Sequence, residues 1–240
     1  MGCGKGYLTF ALHAFLSDKY DHVNTYGVVI RKELVQEING IANELGPSFE
    51  SLKFVQGSIE NVRLLDDKID VLIALHACDT ATDDAIFFGI QNQAKVIVTA
   101  PCCHKEVRSQ LDSYFLSNKE NHPYRDILRH PIYRERIAEC VTDSLRALLL
   151  EIVGYNVKVF EFIDIEHTNK NVMIAATRQS SPRRSPIQLE SLHLRLHTLA
   201  QMHGIHKQKL ARLLAVKLMQ SNYDDMEQRK TSHVRYMPPL

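Results

Sequence analysis

No run in the 240 residues approaches the roughly 18 uninterrupted apolar positions that a membrane-spanning helix requires. Cysteine is scarce and odd in number: Cys3, Cys78, Cys102, Cys103 and Cys140. Five thiols with one vicinal pair, which bridges poorly, do not make a secreted disulfide framework. They read as reduced thiols in a cytoplasmic protein. No C-x-x-C pair is present, and charge of one sign is not in excess, with a net charge of +1. Leader signals fail as well. "MGC" looks like an acylation start, but Gly6 stands where that pattern needs Ser or Thr. Tyr7 to Leu16 is apolar, yet His13 interrupts it and no small-residue cleavage site follows. No internal repeat is visible.

What is present suits one sizeable domain, or a domain with an appendage. Hydrophobic residues make up 45% and charged residues 24%, an ordinary globular balance. The charges are segregated along the chain. From Ser180 to Leu240 there are ten Lys and Arg against four Asp and Glu, and elsewhere 19 against 24. Such a basic tail can meet phosphates, although a solvated helical face reads the same way.

Apolar spacing predicts a helix over Leu8–Leu16, a buried strand over Val23–Ile30 and an amphipathic helix over Glu33–Leu45, closed by Gly46-Pro47. Strands are expected at "LKFVQG", Ile69–Leu75 and Ala94–Ala100, with helices at Thr80–Gly89 and Glu106–Leu116. A loop with Asn121, His122 and Pro123 precedes a long helix, Tyr133–Val153. "NVKVFEFIDI" and "NVMIAAT" then read as strands paired antiparallel across the short link "EHTNK". This order predicts an α/β fold with a mostly parallel Rossmann-like sheet and a closing antiparallel pair. The domain is expected to span 1–179, followed by a linker over 180–186. A helical basic extension then covers 187–240, with helices near Leu189–Met202 and Lys207–Met219.

The chain opens with "MGCGKGYLTF", where Gly2, Gly4 and Gly6 precede a helix. Glycines at such a turn let the backbone approach a ligand closely, beside the free N–H groups of a helix start. A phosphate P-loop needs four residues before Gly-Lys and then Ser or Thr, which fails here, and a dinucleotide turn needs G-x-G-x-x-G. The tighter G-x-G-x-G is the form common in S-adenosylmethionine (SAM) enzymes. Two further loops leave the carboxyl ends of expected neighbouring strands, where ligands of open α/β sheets bind. They are "LHACDTATD" (Leu75–Asp83) and "APCCHKE" (Ala100–Glu106), and they gather His76, Cys78, Asp79, Cys102, Cys103 and His104 around one crevice. Cys78, Cys102, Cys103 and His104 are candidate zinc ligands. Adjacent cysteines rarely both reach one ion, so no metal site is expected.

"GCGKGYLTFAL", "LHACDTATDDAI", "APCCHKE", "RERIAECVTDSLRALLLE" and "EHTNKN" together resemble a family of SAM-dependent class I methyltransferases. That family holds many bacterial proteins and the eukaryotic glutathione S-transferase C-terminal domain-containing protein. The two cysteine loops are also similar to those of eukaryotic tRNA ribose methyltransferases. The resemblance covers roughly Gly2 to Thr177. It implies SAM as cofactor, held by Gly2, Cys3, Gly4 and Gly6, by the strand end at Val28 or Val29, and by Gly57, Ser58 and Leu75. Relatives carry an acid near that strand end, and many carry Asp where this chain has Ser58. They also carry a strand ending D-x-G-C-G-K-G, so this chain is expected to lack its first strand and the acid that receives the SAM ammonium group. His76, Asp79 and His104 are the candidate groups facing the acceptor. Cys102, in a Pro-Cys pair like that of cytosine C5 methyltransferases, is a candidate nucleophile. The expected function is methyl transfer from SAM, with RNA as the favoured acceptor. The alternative is a non-catalytic remnant that binds RNA or a partner.

Overall fold

The computed structural model describes residues 1–62, 68–75, 77–118, 120, 122–164, 168, 170–180 and 184–219. Along the chain come α1 (Tyr7–Ser17), β1 (Thr25–Val29), α2 (Lys32–Glu44), β2 (Leu52–Gln56), β3 (Val71–Leu75), α3 (Thr80–Gln91) and β4 (Val96–Ala100). After them come α4 (Lys105–Ser117), α5 (Arg125–Leu128), α6 (Pro131–Ile152), β5 (Tyr155–Glu161), β6 (Val172–Arg178), α7 (Pro186–Met202) and α8 (Lys209–Leu213). They form two compact units, Met1–His104 with Gly154–Pro182 and Lys105–Val153 with Arg183–Leu240. The basic extension is thus grouped with α4, α5 and α6.

The first unit is α/β. Its strands form two sheets, β1-β2 and β3-β4-β6-β5. β1 pairs parallel with β2, setting Gly27 opposite Phe54, and β3 pairs parallel with β4 from Val71↔Val96 to Leu75↔Ala100. β6 runs antiparallel to β4 on one side and to β5 on the other. The expected antiparallel closing pair is therefore present, with β6 inside and β5 at the edge. One continuous sheet is not formed by the described strands. Between the two sheets lies the segment Met1–Cys3. Its ammonium donates to Ile73 O in β3 at 2.6 Å, and the Cys3 N–H donates to Val28 O in β1 at 3.2 Å.

Around β1-β2 the core consists of Val29, Leu34, Ile38, Ala42, Leu52 and Phe54, with Cys3, Phe10, Val35 and Phe49 packed against it. The apolar face of α2 supplies Leu34, Ile38 and Ala42 at helical spacing. Asn39 lies on the same helix, and its amide satisfies a strand residue: Nδ2 donates to Phe54 O at 2.8 Å and Oδ1 accepts from Phe54 N at 2.9 Å. This replaces the ladder bonds that an edge strand lacks. His13 is fully buried on α1, with ring nitrogens bonded to Thr25 Oγ1 at 2.9 Å and Ser48 O at 3.1 Å.

The second unit is helical. Arg108 and Arg134 converge on Asp112, at 2.8 and 2.6 Å, and Arg108 also reaches Glu135 at 3.3 Å, tying α4 to α6. Helix α7 starts three residues before the expected Leu189. Ser185 accepts from the Gln188 N–H, while the Gln188 side chain accepts from the Ser185 N–H, a capping box ahead of Pro186. Helix α8 is much shorter than the expected Lys207–Met219. Ala215 at φ +55° turns the chain left-handed, and the Val216 N–H closes the end on Ala211 O at 2.9 Å. The short α5 falls in a stretch expected to be loop. No helix among the described residues is long and apolar enough to cross a membrane.

A cavity of about 540 Å³ lies in this unit, lined among others by Leu111, Phe115, His122, Leu128, Leu199 and Met202. The Tyr124 N–H donates to His122 Nδ1 at 3.1 Å, and the Tyr114 and Phe115 rings meet the imidazole edge-on at 5.9 Å. Burial first, and His203 second, hold His122 below its ordinary value of 6.5. Protonation therefore favours the unfolded chain. Stability from this group is full above about pH 6.5 and falls as pH drops below it. The thermal midpoint is expected to fall between pH 7 and pH 5, and by less in His122→Asn. Matched curves for the two proteins would remove His122 as a cause.

Candidate functional site

The glycine turn has the backbone that its sequence requires. Gly2, Gly4 and Gly6 lie at φ +67°, +54° and +78°, where side chains other than glycine are strained. The three glycines differ in their surroundings. A Cβ on Gly6 would meet the Phe54 ring at 2.9 Å, so this glycine serves packing at the start of α1. A Cβ on Gly2 or Gly4 would meet nothing within 4 Å. That side of the turn is an open cradle floored by backbone. Cys3 turns the other way, with its Sγ toward Val28 O at 3.6 Å and its side chain against the core.

The next expected contact is different. Val28 and Val29 are buried, Val29 packs into the core, and its carbonyl already accepts from the Gly57 N–H at 2.9 Å. Both side chains are apolar and offer no hydrogen-bonding group at this strand end. Ile30, 72% exposed, follows the strand end, and Glu33 lies in the first turn of α2. At the end of β2, Gly57 packs on Val62, and the Ser58 hydroxyl is buried without a hydrogen-bond partner among the described residues. A buried hydroxyl left unsatisfied costs free energy that a ligand amine or ring nitrogen would recover. Leu75, half-buried, ends β3 opposite Ala100.

The two cysteine loops follow directly from that register. His76 lies outside the described residues. So do Asn121 and, in the β5–β6 link, Ile165, Glu166, His167 and Asn169. Asp79, half-buried, precedes α3 at φ 51° and ψ −122°, a conformation that normally belongs to glycine. Just beyond it, the Thr82 hydroxyl donates to Ala77 O at 2.5 Å and holds the turn against the helix. Asp83 and Asp84 are buried in the first turns of α3. His104 is 1% exposed, which sets it apart from the half-buried Asp79.

Cys102 lies between two other thiols, 3.4 Å from Cys78 and 3.7 Å from Cys103, sulfur to sulfur. Burial, then hydrogen bonds with Cys78 and Cys103 and repulsion from them, push the Cys102 thiol up to about 12. An activated nucleophilic cysteine has the opposite shift, because the thiolate is the attacking species. This counts against Cys102 in covalent catalysis.

The arginines before and within α6 pair with neighbours. Arg134 meets Asp112, Arg136 meets Glu139 at 3.3 Å, and Arg125 lies 4.0 Å from Glu120. Of the tail histidines, His197 bonds Leu218 O and His203 bonds Leu199 O, each at 3.0 Å. Gly27 and Asn39 shape the site's support and were not singled out by sequence, and His13 was noted only as an interruption of an apolar run. A glycine inside an apolar strand, and lone polar residues on helix faces, are the signals that mark them.

Residues 1–110 match the model of a family described as a methyltransferase domain, which is under half of the chain. No curated protein matches. Among solved structures, the chain is similar to the methyltransferase domain of a bacterial CtHen1-C, with 16% identity over 75% of this chain and 87% of that one, at a TM-score of 0.44. A dimethyladenosine transferase from Plasmodium falciparum has 16% identity, covering 100% of this chain and 74% of its own, at 0.45. A protein from Listeria monocytogenes serotype 4b has 10% identity, covering 97% and 86%, at 0.42. At these scores the structural likenesses carry no argument about this chain's chemistry.

Proposed function

We propose that this chain is a class I methyltransferase domain that uses SAM and transfers its methyl group to RNA. The observation that carries the reading is the glycine turn, with three left-handed glycines and open space over Gly2 and Gly4. The family match over residues 1–110 and the unsatisfied Ser58 hydroxyl support it. SAM would be held by the backbone of Gly2–Gly6, by Gly57 and Ser58, and beside Leu75. When bound it supplies an electrophilic methyl group on a sulfonium.

Methyl transfer is an in-line displacement, so the protein's work is alignment and, where the acceptor needs it, proton removal. In this reading Asp79 takes the acceptor's proton from its strained turn, and His76 is a second candidate for that role. His104, buried on the second loop, is the further general-base candidate. The RNA acceptor is supported by the excess of Lys and Arg after Ser180.

Tritium transfer from labelled SAM to fractionated RNA, protein and metabolites tests this. Label is expected in RNA. Label in protein or metabolites instead would keep the enzyme and overturn the acceptor. SAM affinity is expected to fall about tenfold in Gly4→Ala, whose new Cβ meets no protein atom. The left-handed backbone adds a stability cost of roughly 1–2 kcal/mol. A folded wild-type chain that binds no SAM would favour the second reading, a non-catalytic remnant. The specific observation behind that alternative is Val29 buried in the core and Ile30 exposed where relatives hold the ribose.

A further inference from the structure

We propose that Cys78, Cys102 and Cys103 form a binding site for a thiophilic d10 cation of the zinc type, with the fourth coordination position open to solvent. β3 and β4 are parallel neighbours in register, with Leu75 opposite Ala100. Three residues beyond Leu75 is Cys78, and two and three residues beyond Ala100 are Cys102 and Cys103. The register therefore delivers three thiols to one place at the carboxyl ends of two adjacent strands.

Adjacent cysteines rarely both reach one ion, but here the two sulfurs lie on the same side. The Cys102 and Cys103 sulfurs are 3.7 Å apart, the Cys78 and Cys102 sulfurs 3.4 Å, and all three lie within 4.8 Å of one another. On binding, the cation displaces the thiol protons to solvent, and three thiolates on a tetrahedral ion with metal–sulfur bonds of about 2.3 Å stand about 3.8 Å from each other. The observed triangle reaches that arrangement through side-chain shifts of tenths of an ångström to about one ångström. A disulfide would instead need about 2.05 Å, far inside the Cys78–Cys102 separation.

S–H groups are weak donors and sulfur is a weak acceptor, so three thiols gain little by packing on each other. Cys78 is exposed while Cys102 and Cys103 are half-buried, which leaves one side of the triangle accessible to an entering ion. Three sulfur ligands select soft and borderline ions over magnesium or calcium. A bound ion would fasten the loop carrying Asp79 to the loop carrying His104. This proposal does not depend on methyl transfer, since its readout is binding.

The test uses the whole chain, reduced and anaerobic, titrated with Cd²⁺ as a probe of thiolate ligation. Sulfur-to-cadmium absorbance is expected to saturate at one ion per chain, to be displaced by Zn²⁺ and to be unaffected by Mg²⁺. Cys78→Ser and Cys103→Ser are each expected to weaken binding at least tenfold. Cys140→Ser, a change in the helical unit, is expected to leave it unchanged. X-ray absorption of the wild-type zinc complex should count three sulfurs in the first shell, which requires no variant to fold. A different stoichiometry, a shell without three sulfurs, equal binding by the Cys78→Ser/Cys103→Ser double variant, or loss of signal in Cys140→Ser would each overturn the site.

Discussion

Replacing Asp79 with glycine is expected to raise the thermal midpoint while lowering methyl transfer by about 10²–10⁴-fold, the range for losing a group that handles a proton. The two effects have separate causes. Asp79 sits at φ 51°, ψ −122°, and non-glycine residues in such regions cost roughly 1–3 kcal/mol. Glycine adopts this backbone without a Cβ clash. Part of the gain is offset, because glycine gives the unfolded chain about 0.5–1 kcal/mol more entropy to lose. A net gain near 1 kcal/mol corresponds to roughly 2–4 °C for a chain of this length. Asp79→Ala is the control. It removes the carboxylate and keeps the strain, so activity falls without a gain in stability. Unchanged transfer in Asp79→Gly would take this residue out of the reaction. A lower midpoint would show that contacts of the carboxylate outweigh the strain of the turn.

Gly27→Ala is expected to destabilise the first unit by about 3 kcal/mol or more, the upper end for overpacking a core. Gly27 faces Phe54 across the parallel β1-β2 register. A Cβ there would lie 2.3 Å from Phe54 Cδ1, 2.5 Å from Cε1 and 3.0 Å from Cys3 Sγ. Phe54 cannot swing away cheaply, because it is 3% exposed and its ring lies 5.2 Å from that of Phe10. Its backbone is also held by the Asn39 amide. The same crowding reaches the glycine turn through Cys3 and Gly6, so SAM binding is expected to weaken alongside stability. Phe54→Leu in the Gly27→Ala background should recover part of the loss, and a double-mutant cycle measures the coupling. Denaturant midpoints within about 0.5 kcal/mol of wild type would mean that the strand pair yields more readily than a close-packed core should.

The glycine turn before α1 and the cysteine loops after β3 and β4 differ in how far sequence could reach. The glycine turn was legible from spacing alone, because three alternate glycines before an apolar helical pattern have few other uses. The cysteine loops were legible as neighbours, since consecutive apolar strands joined by a helix tend to pair in parallel. Whether Cys102 and Cys103 turn to the same side was not legible. Side-chain direction in a loop after a strand depends on the local backbone and on what surrounds it, and no periodicity encodes that.

The linear order of residues by itself determined the kind of each element wherever apolar spacing was long and regular. The strands at β3 and β4 follow from continuous apolar runs, the long helix α6 from apolar spacing near 3.6, and the antiparallel pair β5–β6 from two apolar stretches joined by a short link. It also determined the left-handed glycines, because few other residues tolerate that backbone. Tertiary structure alone decided the rest. Phe54 made Gly27 indispensable, and β6 came to lie between β4 and β5. Asp79 was held in a glycine's conformation, and three sulfurs were brought within one ion's reach. Each of these depends on atoms distant in sequence occupying the same few ångströms, and close packing sets that only once the chain is folded.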